Sequence, residues 1–503
     1  MKCLLLLLLL FSLGNAYKVL VIFPIPGKSH SILGDGVVNT LAEAGHEVTV
    51  ITPFPKENPP KNVQQVNISD RLADIASLSK SKLPLFMMFS VSESLPSKSI
   101  SHENVQAMLT DLNIRFDVVI AEWFFSPLLA GFASVYECPL IWLNPTDPHF
   151  QVLQLIDENS SPAYTISVLS DSAPPLNFIN RVYELWLQIY TEILQFYYNN
   201  FKNISTFKNM YGKAFELRGR PLPSLKEIAY NGSFMFINGQ PAYGTPFKLS
   251  QNAKYIGGYH IDPKTKPLPQ DLQKIFDNAK DGVIYFSMGS NLKSKDLPEQ
   301  VKRDLVKMFG QLKQTVLWKF EEDLPDLPKN LHIIKWAPQP SILNQNNTRM
   351  FITHGGKLST TETIHYGVPI IGIPIFGDQF ANMDMAVMKQ YALLVKFDYD
   401  LSFISKINVF FRYSNKAKEL SSIYHDLPLT PRQELVHWVE HVVRTGGALH
   451  LRSPALMVPW YQKIYLDLIA FILVIVYLLH KSYKCIKCNL CNKQTKKTKT
   501  KIN

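Results

Sequence analysis

His354-Gly355-Gly356 follows a short apolar run at residues 350–353 that reads as a strand, and it opens a helix expected over 357–366. A helix N-terminus above a strand presents backbone N–H groups that lack intrahelical partners, together with the positive end of the helix dipole. Glycines there let an anion approach the backbone. A diphosphate suits such a turn. Gly367-Val368-Pro369 ends the helix, residues 370–375 read as a buried strand, and Asp378 and Gln379 follow at its carboxyl end, where open α/β sheets place ligands. Both side chains can hydrogen-bond sugar hydroxyls. Trp336 and Gln339 precede the turn, and Ser359 and Glu362 lie on the helix behind it.

Those residues need a scaffold that brings strand ends together. The chain supplies two runs of alternating strand and helix signals. In the first, a strand at 18–23 leads through a Pro-Gly loop ending at His30 to an amphipathic helix around 32–44 and a strand at 47–52, and 116–121 and 139–143 continue the pattern. Three prolines in the eight residues from Asp262 to Pro269 form a linker. The second run has strands at 282–286, 315–319, 331–335, 350–353 and 370–375. Residues 151–230 are rich in aromatic side chains, with helical spacing over 182–198; such a stripe reads as core, and the insertion marks where acceptor contacts would be sought. Residues 431–451 read as a long amphipathic helix.

Trp336-Ala337-Pro338-Gln339, then Phe351 through Glu362, then Gly367-Val368-Pro369 and Pro374 through Asn382 resemble, in this order, the signature of the membrane-bound animal UDP-glycosyltransferases. The resemblance implies an α/β GT-B fold of two facing Rossmann-like domains, 17–261 for the acceptor and 262–430 for the UDP-sugar, with 431–459 crossing back before the membrane. It implies that Trp336 stacks on uracil with Gln339 beside the nucleotide, and that Glu362 holds the ribose. Ser290, His354, Gly356 and Ser359 would meet the diphosphate, and Asp378 and Gln379 the donor sugar. Lys319 stands where many relatives carry Arg, which keeps the charge but not the planar fork.

Hexosyl transfer needs a base for the acceptor hydroxyl, and histidine suits neutral pH. The resemblance extends to Ala44 through Thr49 and maps that base onto His30; the competing reading is a loop histidine capping the next helix. The supporting carboxylate maps onto Glu122, where the family commonly has Asp. The extra methylene moves the carboxylate by roughly an ångström, a misplacement that can cost about 100-fold in rate. The reaction implied is inverting single displacement, with UDP-glucose or a related UDP-sugar as co-substrate, a small lipophilic acceptor, no cofactor and no metal. A homo-oligomer is compatible with it. The alternative is a weak or silent lipophile-binding membrane protein of the same fold. A dinucleotide oxidoreductase would need a glycine-rich turn where Pro24-Ile25-Pro26-Gly27 stands.

The ends of the chain point to a membrane. Lys2, the apolar run after it and Gly14-Asn15-Ala16 have the form of a signal peptide, residues 1–16. Residues 460–479 are long and apolar enough to span a bilayer, with Lys463 and Asp467 four residues apart where they could pair on one helix face. The tail 480–503 carries eight lysines of a chain whose formal net charge is +11, so most of the basic excess flanks a membrane and no nucleic-acid partner is expected. The expected placement is the endoplasmic reticulum membrane, single-pass, with a lumenal body; Lys499 and Lys501 resemble a cytosolic dilysine address. Cys138 is alone in the body, and Cys485, Cys488 and Cys491 lie in the tail, where acylation is a simpler reading than zinc. N-glycosylation triplets begin at Asn67, Asn159, Asn203, Asn231 and Asn346.

Overall fold

A computed structural model of the chain describes residues 16–73, 85–156, 161–167, 170, 175–290, 294–375, 377–395 and 411–499. Residues 1–15 of the signal-peptide segment, Asn159 with Ser160, and Lys501 lie outside them. Residues Met1–Arg452 and Ser453–Asn503 form two separate units.

The larger unit holds two sheets. The first contains β1 (Lys18–Ile22), β2 (Glu47–Thr52), β3 (Val63–Asn67), β4 (Val118–Glu122), β5 (Leu140–Asn144), β6 (Phe234–Ile237) and β7 (Ala253–Tyr255), in the order β3-β2-β1-β4-β5-β6-β7. The second contains β8 (Val283–Ser287), β9 (Thr315–Lys319), β10 (Leu331–Ile334), β11 (Thr348–Thr353), β12 (Ile370–Gly372) and β13 (Ala392–Leu394), in the order β10-β9-β8-β11-β12-β13. Every pairing in both is parallel. Parallel strands need crossovers, and helices on both faces bury both sides of each strand. In β1, Val19 and Val21 enter one core while Leu20 and Ile22 enter the other. Val283 and Tyr285 of β8 likewise face away from Ile284 and Phe286.

Helix α1 (Lys28–Glu43) connects β1 to β2. It begins four residues before the sequence suggests, so His30 lies in its first turn and not in a preceding loop. The polar Lys28-Ser29 pair gives no apolar periodicity, which is why the pattern starts only at Ile32. Gly36 of this helix meets the backbone after β7: a Cβ there would come 2.7 Å from His260 Cα.

Helix α2 (Phe178–Tyr197) reverses the core expectation for the aromatic stripe. Its only buried side chains are Glu184 and Thr191, whereas Trp186 is 62% exposed. It leads to α3 (Asn203–Leu217), where Asn203 is buried, a position with no room for a glycan. Strand β12 stops at Gly372, short of the expected 375, because Pro374 has no N–H to continue the ladder. Helices α4 (Lys357–Tyr366) and α5 (Gln379–Met388) follow β11 and β12. Helix α6 (Pro431–Arg444) is opened by a capping box between Thr430 and Gln433. It ends at Arg444, not at 451, since Gly446, Gly447 and Ala448 all adopt positive φ. Its Leu435, Val439 and Val442 join the core that β1 lines with Val19 and Val21, and Trp438 stacks on Phe234 of β6.

In the smaller unit, Trp460–Lys463 is a short helix of its own, Tyr465 is left-handed, and α7 runs from Leu466 to Lys499. Lys463 and Asp467 therefore lie on different helices, and the geometry of a shared helix face does not apply to them. The stretch long and apolar enough to cross a bilayer is Leu466–Cys488, starting six residues later than the sequence suggests.

Candidate active site

In an open parallel sheet the crevice forms where strand order reverses, at the carboxyl ends of the strands. In the first sheet that point lies between β1 and β4, and in the second between β8 and β11. The first presents His30, in α1 after β1, and Glu122, the last residue of β4. The second presents Ser290 after β8 and His354-Gly355-Gly356 after β11. Side chains from both switch points line one cavity of about 610 Å³. Every residue expected to hold the UDP-sugar lines it, and so does His30. Glu122 stands behind His30, fully buried.

His30 Nδ1 hydrogen-bonds Glu122 Oε1, so the longer side chain still reaches the imidazole. Burial pulls the His30 pKa down, but the Glu122 charge and hydrogen bond, with a smaller contribution from Asp378, leave it raised above the usual 6.5. His30 and Asp378 line the same cavity. With Nδ1–H donating to Glu122, Nε2 keeps its lone pair. Phe124 packs edge-on against His30 at 5.3 Å between ring centres, and Phe125, at a positive φ of 56°, stacks on His149. Both phenylalanines line the cavity together with Ile32 and Leu33, while no side chain of α2 or α3 does. The loop after Glu122 therefore supplies aromatic lining to this cavity, and the aromatic stripe of α2 stands apart from it.

His46 is structural: its Nδ1 accepts from the Tyr17 N–H at 3.3 Å, and its Nε2 is 3.5 Å from Glu440 of α6. Asp117 accepts from the Lys18 N–H at 2.7 Å, far from His30 in role.

On the donor side, Gln339 Nε2 donates to Glu362 at 2.6 Å and to Ser359 at 3.3 Å, and Tyr285 reaches Gln339 at 3.4 Å. Trp336 is 62% exposed, with the Lys319 ammonium 5.6 Å from its ring centre. Lys319 is held by the Gly289 carbonyl at 2.6 Å and by Glu321 at 3.4 Å. The half-buried His354 ring is pushed down to about 4, by loss of solvent and then by the Lys319 charge, so it is a neutral hydrogen-bonding group at neutral pH. It fits because Gly289 (φ +84°) and Gly356 leave space: a Cβ would come within 2.5 Å of the ring at the first and 2.4 Å at the second. Asp378 accepts from Asn382 at 2.8 Å, and Gln379 accepts from the Ile375 N–H at 2.8 Å. Burial raises the Asp378 carboxyl, against the opposing Asn382 hydrogen bond and Lys357 charge. Among the described residues no group of three or more His, Cys, Asp or Glu side chains is placed to hold a metal ion.

Sequence reasoning missed four contributors: Phe124, Phe125, His260 and Lys357. The His260 side chain is buried, lines the cavity 3.8 Å from Glu362, and has no hydrogen-bond partner on either ring nitrogen among the described residues. Only its position just past a Gly-Gly turn hinted at a close approach.

The family profile described as UDP-glucoronosyl and UDP-glucosyl transferase matches residues 18–501. The chain belongs to this family. A UDP-glucosyltransferase 2 of Dactylopius coccus is 33% identical over 485 residues, covering 92% of this chain and 91% of that protein. Human UDP-glucuronosyltransferase 2B7 is 29% identical over 507 residues, covering 93% and 92%. Among solved structures, the calicheamicin glycosyltransferase CalG4 superposes with a TM-score of 0.56 at 15% identity, over 88% of this chain and all of that one. The fold is GT-B, and the protein is a UDP-glycosyltransferase.

Because Glu362 anchors Gln339 and faces His260, Glu362→Ala is expected to weaken UDP binding about tenfold through lost charge-assisted hydrogen bonds. Calorimetry with UDP alone checks it; an unchanged affinity would remove Glu362 from the nucleotide site.

Proposed function

We propose that the chain transfers glucose from UDP-glucose to a hydroxyl of a small lipophilic acceptor, with inversion at the anomeric carbon. The observation that carries this reading is the His30–Glu122 pair, which opens into the same cavity as the α4 N-terminus and lies within electrostatic reach of Asp378. The acceptor hydroxyl gives its proton to His30 Nε2 as its oxygen bonds to the anomeric carbon. The bond from that carbon to the β-phosphate oxygen breaks, and UDP departs with the electron pair. Glu122 steadies the imidazolium. The α4 N-terminus, Lys319 and Ser290 meet the charge that develops on the diphosphate. Trp336 stacks on the base, Gln339 and Glu362 hold the nucleoside, and Asp378 and Gln379 read the sugar. Phe124, Phe125, Ile32 and Leu33 favour an apolar acceptor.

The apolar stretch of α7 and the lysines beyond it support a single-pass anchor with the catalytic body in the lumen of the endoplasmic reticulum. One assay tests both parts: transfer of label from UDP-glucose to a panel of phenols, in sealed microsomes and again after detergent. Label should reach a β-glucoside, and detergent should raise the rate by admitting the donor. Donor binding without transfer would support a silent lipophile-binding protein, and full activity in sealed vesicles would place the body on the cytosolic side.

A further inference from the structure

The sugar end of the cavity carries an ion pair that the chemistry above leaves unused. Lys357 is the first residue of α4, buried, and lines the cavity beside Asp378 and Gln379. Its ammonium lies 4.8 Å from the centre of the Tyr243 ring and 2.5 Å from Asp147 Oδ2, in the loop after β5. The pair therefore ties the first sheet to the helix whose N-terminus faces the diphosphate. Asp147 is seated by shape: a Cβ at Gly239 would come 2.3 Å from its Oδ1, and one at Gly244 would come 3.0 Å from it. Asn144 fixes the same loop by donating to the Thr146 and Asp147 carbonyls at 2.8 and 3.1 Å. Lys357 lines the same cavity as Asp378, the group assigned to the donor sugar, and the charges of both Lys357 and Asp147 act on the Asp378 carboxyl.

A hexuronate differs from a hexose by a carboxylate in place of the C6 hydroxymethyl group. An unpaired ammonium at the sugar end would attract it. Here the ammonium is already claimed, and the pair brings a second carboxylate close to Asp378. We propose that Asp147 is a donor-specificity residue: by holding Lys357 in an ion pair, it keeps the site selective for a neutral hexose over a hexuronate. The inference rests on the donor reading above, with Asp378 and Gln379 at the sugar.

The test measures dissociation constants of UDP-glucose and UDP-glucuronate by calorimetry on the full chain in detergent micelles, without acceptor, so that turnover is not required. The protein with its native residues should bind UDP-glucose more tightly. Asp147→Asn should shift the ratio toward UDP-glucuronate by about tenfold, the scale of one charge-assisted hydrogen bond. Lys357→Met should shift it the opposite way, because Asp147 then faces the uronate uncompensated. A preference for UDP-glucuronate in the unaltered protein, or ratios unchanged in both variants with UDP affinity intact, overturns the proposal. If Asp147→Asn no longer binds UDP, Lys357→Met decides alone, an unchanged ratio overturning it. Failure of glucose transfer in the microsomal assay, with these shifts present, would count against the transfer reading and leave the selectivity standing.

Discussion

Replacing His30 by Ala should lower kcat by about 1,000-fold while changing the affinity for UDP by less than about twofold. A general base acts in the transition state, and removing one typically costs about 100- to 10,000-fold. The residues assigned to the nucleotide come from the second sheet, and His30 comes from the helix after β1. Its side chain is only partly exposed and bonds Glu122, so Ala leaves that carboxylate buried without its partner. Thermal denaturation must therefore accompany the kinetics, because a folding defect would lower UDP affinity together with rate. Loss of UDP binding in a well-folded variant would show that His30 belongs to the donor site. A rate within tenfold of the unaltered enzyme would remove it as the base.

The donor half was legible because its signals are local. A strand, a Gly-Gly turn and a helix start within a dozen residues fix where His354, Ser359 and Glu362 point, and the family resemblance names their partners. Short edge strands were not. β3 reads Val-Gln-Gln-Val-Asn, β7 and β13 have three residues each, and such pieces carry no period that separates them from loops. Their pairing is decided by the neighbouring strand. The polar first turn of α1 hid in the same way, and with it the position of His30. Contacts distant in sequence were invisible: Asp147 and Lys357 are 210 residues apart, and only the folded chain brings the loop after β5 to the N-terminus of α4. Composition misled at two places. Aromatic residues on α2 look like core but face outward, and the apolar residues from Trp460 onward look continuous with the span until Tyr465 turns left-handed. Beyond the span, lysine is a good helix former, so α7 continues through the tail.

Glu122→Gln should separate a positioning carboxylate from a merely structural one. In the native enzyme burial opposes the imidazolium, and the Glu122 charge and hydrogen bond outweigh it, so the His30 pKa lies above 6.5. The base works in its neutral form. Activity therefore rises with pH through that raised pKa and is lost as pH falls below it. The glutamine variant keeps the shape and an acceptor oxygen but removes the charge, which leaves burial as the largest influence, so the acid limb of kcat/KM should move to lower pH, below 6.5. The plateau should fall about 100-fold at the same time, because the imidazolium formed in the transition state has lost its counter-charge and the neutral amide no longer holds the Nδ1–H tautomer as firmly. Glu122→Asp should retain the position of the limb while lowering the plateau, since the charge remains but its reach shortens by roughly an ångström. A lower plateau with the acid limb unmoved in the glutamine variant would mean that Glu122 only fills space behind His30, and the base would then owe its pKa to some other group.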